Sequence, residues 1–315
     1  MFSVRRYNNT DLRSFTETRK GETRLGEKVN TEITPATRFV ILGIAEDIGP
    51  RANHGRPGST NAFDAFLSRF LNVQSNQFLS GQEIAVFGKI TANNPSEAVE
   101  DLRKSVDDLD QLVFNTIQGM NLSQQKLIVV GGGHNNAYPV IKSISKRFNK
   151  ALSIINIDPH ADCRPPEGRH SGNAFSTAIS EQLILSYNVL GLHEQYNSQQ
   201  SIDFLKRNHC FYSFYEDYID YPDLQRDIEN FKTRAGSQPV GIEIDLDCIE
   251  HMPTSAYTPC GFSISEVREA LRKLATTNAQ YLHLPEGAPT NNAEEMIVGK
   301  TLSYLVCDFI KKSSF

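Results

Sequence analysis

The chain has 315 residues, 39% of them apolar and 22% charged, and a formal net charge of −5, which suits a globular protein with a sizeable core and excludes a general nucleic-acid binder. The start, "MFSVRRYNNTDLRSF", lacks the apolar stretch of a secretory signal, and no run approaches the length of a membrane span, so no membrane partner is expected. Five scattered cysteines (Cys163, Cys210, Cys248, Cys260, Cys307) without CxxC spacing suit a reducing cytoplasm rather than a disulfide framework.

Residues 1–36 are polar and weakly patterned, which predicts a peripheral N-terminal arm ahead of a single domain over 37–315. Strands are predicted at "RFVILGI" (38–44), "EIAVFG" (83–88), "KLIVV" (126–130), "ALSIINI" (151–157), "YNVLGL" (187–192), "CFYSF" (210–214), "PVGIEI" (239–244) and "QYLHL" (280–284). These runs are continuous rather than alternating, as expected of parallel strands covered on both faces. Helical segments lie between many of them. "NNPSEAVEDLRKSVDDLDQLVFNTI" offers Asn94 as N-cap with Pro95 at the first helical position, and "SISEVREALRKLA" opens with Ser263 and Glu266 at capping-box spacing. The β–α alternation predicts an α/β fold, a mostly parallel sheet with helices on both faces.

In such sheets, sites form where loops leave the carboxyl ends of strands. Three strand ends carry metal-ligand residue types. After "KLIVV" comes "GGGHNNAYP", with His134 behind three glycines. After "IINI" comes "DPHADCR", with Asp158, His160 and Asp162 on alternate positions. After "PVGIEI" comes "DLD", with Asp245 and Asp247. Residues two apart on extended backbone point the same way, so each group is expected to crowd one face. Taken singly, each motif also occurs in ordinary turns or as a structural histidine. Together they bring four carboxylates and two imidazoles to one volume, and buried charges of that density must be paired or hold a cation. The oxygen-rich set without thiolate favours Mn²⁺, with other divalent transition metals as alternatives. Six ligands exceed the need of one ion. Two ions about 3.5 Å apart could share a water and lower its pKa.

The order GGGH, D-x-H-x-D, D-x-D, each after a parallel strand, resembles the ureohydrolase family of arginases, agmatinases and formimidoylglutamases, over roughly residues 38 to 310. "NHGRPGST" (53–60) is similar to that family's early Gly-rich active-site loop and "EGRHSGNAF" (167–175) to its substrate loop. The resemblance implies a three-layer α/β/α sandwich assembled as trimers or hexamers, and two Mn²⁺ per chain. It implies His134, Asp158, Asp162 and Asp245 around one ion and Asp158, His160, Asp245 and Asp247 around the other, with Asp158 and Asp245 bridging. It also implies Asp162 as a proton carrier near the shared water.

Arginases and agmatinases grip a guanidinium with a glutamate after the last core strand. In "YLHLPEGAP" (281–289), His283 is aligned with that glutamate and Glu286 lies three residues on. Arg164 and Arg169 flank the metal loop and could clamp a substrate carboxylate, or balance the acidic ligands, or face solvent. His170 is a candidate proton shuttle or a packing element. Asn135 and Asn136 could bind polar groups of the substrate or cap the helix that follows. Cys163 and Cys248 adjoin ligands but are read as core. The resemblance and these departures imply hydrolysis of a linear amidine C–N bond, N-formimidoyl-L-glutamate to L-glutamate and formamide. The alternatives are another guanidino-compound hydrolase of agmatinase, arginase or guanidinobutyrase type, or, in a different class, a non-catalytic metal-binding scaffold or regulatory subunit.

Overall fold

The computed structural model describes residues 2–221 and 223–313. Among the described residues nine strands form one sheet: β1 (Phe2–Arg6), β2 (Phe39–Ala45), β3 (Ile84–Ala92), β4 (Lys126–Val130), β5 (Leu152–Ile157), β6 (Ile184–Leu192), β7 (Phe211–Phe214), β8 (Val240–Ile244) and β9 (Ala279–Leu284). Their spatial order is β1-β3-β2-β4-β9-β8-β5-β6-β7. Every pairing is parallel except β1 with β3.

The sheet is hydrophobic on both sides because its central strands β2 to β6 and β9 feed two cores by alternation. Phe39 and Ile41 of β2 enter one core, and Val40, Leu42 and Ile44 enter the other. Helices Ala62–Phe70, Leu224–Ala235, Ile264–Leu274 and Asn292–Lys312 cover the first side; Val99–Gly119, Ala137–Phe148, Ala174–Ser180 and Gln199–Arg207 cover the second. Burying each Val, Leu or Ile contributes about 1.5–3 kcal/mol, so the three-layer arrangement stabilises the strand runs that could not stand in water alone.

Ser263 and Glu266 form the expected capping box, Glu266 Oε2 accepting from the Ser263 amide at 2.8 Å. The helix expected from Asn94 starts instead at Val99. Asn94 turns its Oδ1 back to the Ser96 amide (2.9 Å), while Arg51 takes the carbonyls of Asn94 and Ser96 at 2.9 and 2.6 Å. These bonds hold residues 94–98 as a lead-in, an Asx turn outcompeting the helix. The N-terminal arm is peripheral only in its strand, which adds an antiparallel edge to β3. Leu12 and Leu25, at 1% and 0% exposure, belong to the first core. Among the described residues no helix is long and apolar enough to cross a membrane.

The strand order itself positions the site. The last strand, β9, is inserted between β4 and β8, and β5 lies beyond β8. The carboxyl ends of β4, β9, β8 and β5 are therefore consecutive along one edge.

Candidate metal centre

Beyond β4 the backbone turns sharply through Gly131 (φ +87°) and Gly132 (φ +73°), conformations that favour glycine. A side chain at Gly133 would meet Pro50 Cδ at 2.3 Å. This tight turn delivers His134 into the sheet edge. Its Nδ1 lies 3.1 Å from Asp158 Oδ2, 3.0 Å from Asp162 Oδ2 and 2.9 Å from Asp245 Oδ2. The four ligating atoms all lie within 4.8 Å of one another. His160 stands at the other side of Asp158, its Nδ1 3.6 Å from Asp158 Oδ1 and 3.7 Å from Asp247 Oδ2.

The grouping arises from turns, not from the strand pleat that the alternate spacing predicts. Asp158 Oδ1 accepts from the His160 amide at 2.7 Å, and Asp245 Oδ1 accepts from the Asp247 amide at 2.7 Å, so each aspartate caps its own following turn. Asp162 has φ +46° and Asp247 sits in a short 3-10 turn, Leu246–Cys248.

The centre concentrates carboxylates out of reach of water. Asp158, Asp245 and Asp247 are buried, at 0%, 2% and 3% exposure. Burial, the neighbouring Asp247 and then Asp158 push Asp245 well above the usual carboxylate range. Burial pushes Asp247 up to about 6 against the pull of His160. Burial works against charge on the imidazoles too. Yet the carboxylates of Asp158, Asp162, Asp245 and Glu243 raise His134 well above its ordinary value, and Asp158 above all raises His160 to about 10. Both ring nitrogens of His134 and Oδ1 of Asp247 are buried without a hydrogen-bond partner. A buried oxygen-and-imidazole set that must borrow protons, with orphaned donor atoms at its heart, fits divalent cations.

Behind His134 runs a network that sequence reading did not find. His134 Nε2 faces Glu243 Oε2 at 3.4 Å; the same oxygen is 2.7 Å from His283 Nδ1, and Tyr281 Oη donates to Glu243 Oε1 at 2.7 Å. Burial would raise Glu243, but His283 and His134 outweigh it and hold the carboxyl at about 2. Asp158 is braced similarly by Asn156 Nδ2 at 2.9 Å. Glu46, buried at the end of β2, accepts from the Gly133 amide and Asn136 Nδ2, each at 2.7 Å, and fixes the glycine turn. Its position directly after an apolar strand was the one available signal.

A cavity of about 520 Å³ opens onto the centre; His160, Asp162, Asp245, Asp247 and Glu286 line it, with residues 53–55, 164–165, 167, 171–172 and 196–198 around them. Arg164 lies on this wall, half-exposed, its Nε 3.0 Å from Glu167 Oε1. Glu286 follows β9 at φ +68°, its Oε1 accepting from the His134 amide at 2.6 Å and its Oε2 from the Ser255 hydroxyl. Burial, and then Asp247, push it up to about 8.

The other candidates are elsewhere. His283 is not on the wall; it points at Glu243 because β8 and β9 pair those two residues directly. Arg169 is buried against Asp110 (Nε–Oδ2 2.8 Å), the Asn135 carbonyl (3.0 Å) and Asn173, so it has no free face for a substrate carboxylate. His170 is buried; its Nδ1 accepts from the Gly172 amide at 3.1 Å and its Nε2 meets Glu167 at 3.2 Å, and burial lowers it to about 4. Asn135 and Asn136 are fully buried, and neither side chain caps the following helix. Cys163 and Cys248 are in the core, as read.

The chain is 28% identical over 263 residues to the formimidoylglutamase of Macrococcus caseolyticus, covering 82% of this chain and 80% of that one. It is 26% identical over 232 residues to the formimidoylglutamase of Streptococcus pyogenes, covering 70% and 67%. Among solved structures it resembles the formimidoylglutamase of Bacillus subtilis (TM-score 0.78, 17% identity, 95% of each chain). It also resembles the formiminoglutamase of Trypanosoma cruzi with Mn²⁺ (TM-score 0.75, 19% identity, 93% and 100%). The Arginase family profile matches residues 37–310, most of the chain, and on that match the protein is a member of the arginase family.

Proposed function

We propose that the protein hydrolyses the linear amidine bond of N-formimidoyl-L-glutamate, releasing L-glutamate and formamide. The observation that carries this reading is the polarity of one cavity: an acidic floor containing Glu286 and the metal-ligand carboxylates, and Arg164 on its wall. The floor suits a cationic amidinium and the arginine suits a carboxylate tail. The names of the relatives at 26–28% identity support the same substrate.

His134, Asp158, Asp162 and Asp245 would hold one Mn²⁺, and Asp158, His160, Asp245 and Asp247 the other. Bound there, two divalent cations lower the pKa of a water and stabilise negative charge on oxygen. The chain supplies orientation and proton transfer. Glu286 accepts N–H bonds from the amidinium and keeps the amidine carbon over the centre. The water oxygen adds to that carbon to give a tetrahedral adduct; Asp162 takes a proton from the attacking water and returns it to the glutamate nitrogen as the C–N bond breaks. Arg164 holds a carboxylate of the tail. Glu243, Tyr281 and His283 keep the His134 ring in its plane from behind.

Glu286 on the cavity floor favours a second reading, a guanidino substrate, because a guanidinium presents the same N–H pair to a carboxylate. A panel of formimidoylglutamate, arginine, agmatine and guanidinobutyrate separates the two. Formamide release is expected to be fastest, and faster urea release from any guanidino compound would refute the proposal.

A further inference from the structure

His134 and His160 are held by different means. Histidine ligands are usually oriented by a hydrogen bond to the ring nitrogen that faces away from the metal. Behind His134 the Glu243 carboxylate faces Nε2 at 3.4 Å, a charge contact rather than a hydrogen bond. His160 meets carboxylates only through Nδ1, and its ring is 28% exposed at the cavity wall. Its surroundings come instead from "HEQYNS" (193–198), the loop after β6.

The Tyr196 ring stacks on the His160 ring, centroids 5.5 Å apart and planes at 19°. It stacks equally on His193, at 5.0 Å and 16°, and His193 stacks on Tyr215 at 4.9 Å. The Tyr196 hydroxyl is tied to Thr258 Oγ1 at 3.2 Å, so the phenol plane is fixed at its tip as well as its face. Next to it, Asn197 accepts from the Ala161 amide at 2.8 Å and donates to the Pro159 carbonyl at 2.8 Å. Those two groups belong to the peptide bonds on either side of His160. A third bond, Asn197 Nδ2 to the His193 carbonyl at 2.9 Å, anchors the amide to its own loop. One dipeptide thus grips the backbone of His160 on both sides and covers the face of its ring.

We infer that Tyr196 and Asn197 are positioning residues for His160: a stacking and amide clamp that replaces the usual hydrogen bond behind a histidine ligand and selectively supports the ion His160 would hold. The inference rests on the dinuclear reading of the centre. Its consequence is an asymmetry. The His134 side is braced by a buried carboxylate, the His160 side by ring stacking and an amide clamp on its backbone, so the two ions respond to different substitutions.

The test is calorimetric titration of Mn²⁺ into the full-length metal-free protein, with the melting temperature of each metal-free variant measured alongside. Tyr196→Ala and Asn197→Ala are each expected to weaken one of the two ions tenfold to a hundredfold and leave the other unchanged. Tyr196→Phe retains the stacking face and is expected to bind both as wild type does. If Tyr196→Ala binds both ions as wild type does, or weakens both equally, the clamp is refuted. If Tyr196→Phe fails to rescue, stacking is not what supports the ion and the inference is also refuted. Wild-type protein that takes up fewer than two ions would instead bring down the dinuclear reading and this inference with it.

Discussion

His170→Asn removes a buried imidazole whose proton affinity differs sharply between the folded and unfolded chain. Unfolded, it titrates near 6.5; folded, burial lowers it to about 4. At pH 8 neither state carries the proton and the folded state loses nothing. As pH falls below 6.5 only the unfolded chain is protonated, so stability declines until both states bind the proton below 4. The limiting loss is about 3 kcal/mol, from roughly 2.5 pH units at 1.36 kcal/mol each; at pH 5 it is about 2 kcal/mol. Asparagine keeps an acceptor for the Gly172 amide, which His170 Nδ1 now receives at 3.1 Å, but cannot titrate. Urea denaturation of wild type and His170→Asn at pH 8 and pH 5, both without added metal, should show the variant losing about 2 kcal/mol less over that interval. ¹³C-labelled histidine spectra should place the His170 titration near 4. A His170 that titrates at or above 6.5, or equal pH losses in the two proteins, would refute the account of this loop.

Four further outcomes follow from the geometry. Protein reconstituted with Mn²⁺ should approach two ions per chain by elemental analysis, and chelation should abolish activity; full activity without metal would end the proposed mechanism. Asp158→Ala and Asp245→Ala should each disrupt both ions, while Asp247→Ala should weaken mainly one, as measured by metal stoichiometry. Glu243→Gln should lower Mn²⁺ affinity tenfold to a hundredfold, because His134 Nε2 loses the carboxylate 3.4 Å behind it; unchanged affinity would show that this network is only packing. Arg164→Glu should raise KM for formimidoylglutamate with little change in stability, whereas Arg169→Ala should cost about 3–5 kcal/mol in urea melts by stranding buried Asp110.

The parts of the centre that could be read from sequence were those attached to strand ends. His134, Asp158 and Asp245 each lie at or just past the end of a largely apolar strand run, so the parallel-sheet rule located them without any contact information. What escaped reading depends on lateral register. Glu243 and His283 meet because β8 and β9 align them across the sheet, 40 positions apart, and no local pattern announces that pairing. The role of Arg169 stayed open between substrate clamp, ligand balance and solvent because its partner, Asp110, lies 59 positions away on a helix. Glu286 reaches the cavity through a left-handed turn two residues past the end of β9, which a strand-based count of His283 did not anticipate. The N-terminal arm looked peripheral because its few apolar residues, Leu12 and Leu25 among them, are too sparse to show period; their burial comes from joining the first core.

The insertion of β9 between β4 and β8 makes the centre depend on a late part of the chain. All six candidate ligands precede residue 248, yet the strands that carry His134 and Asp245 stand two strand spacings apart, about 10 Å, with β9 filling the gap. A chain emerging from the ribosome therefore holds every candidate ligand before residues 279–284, which pair with β4 on one side and β8 on the other, are made. Metal capture is tied in this way to completion of the sheet, so an unfinished or truncated chain ending before residue 279 would carry the full ligand set and no centre to bind with.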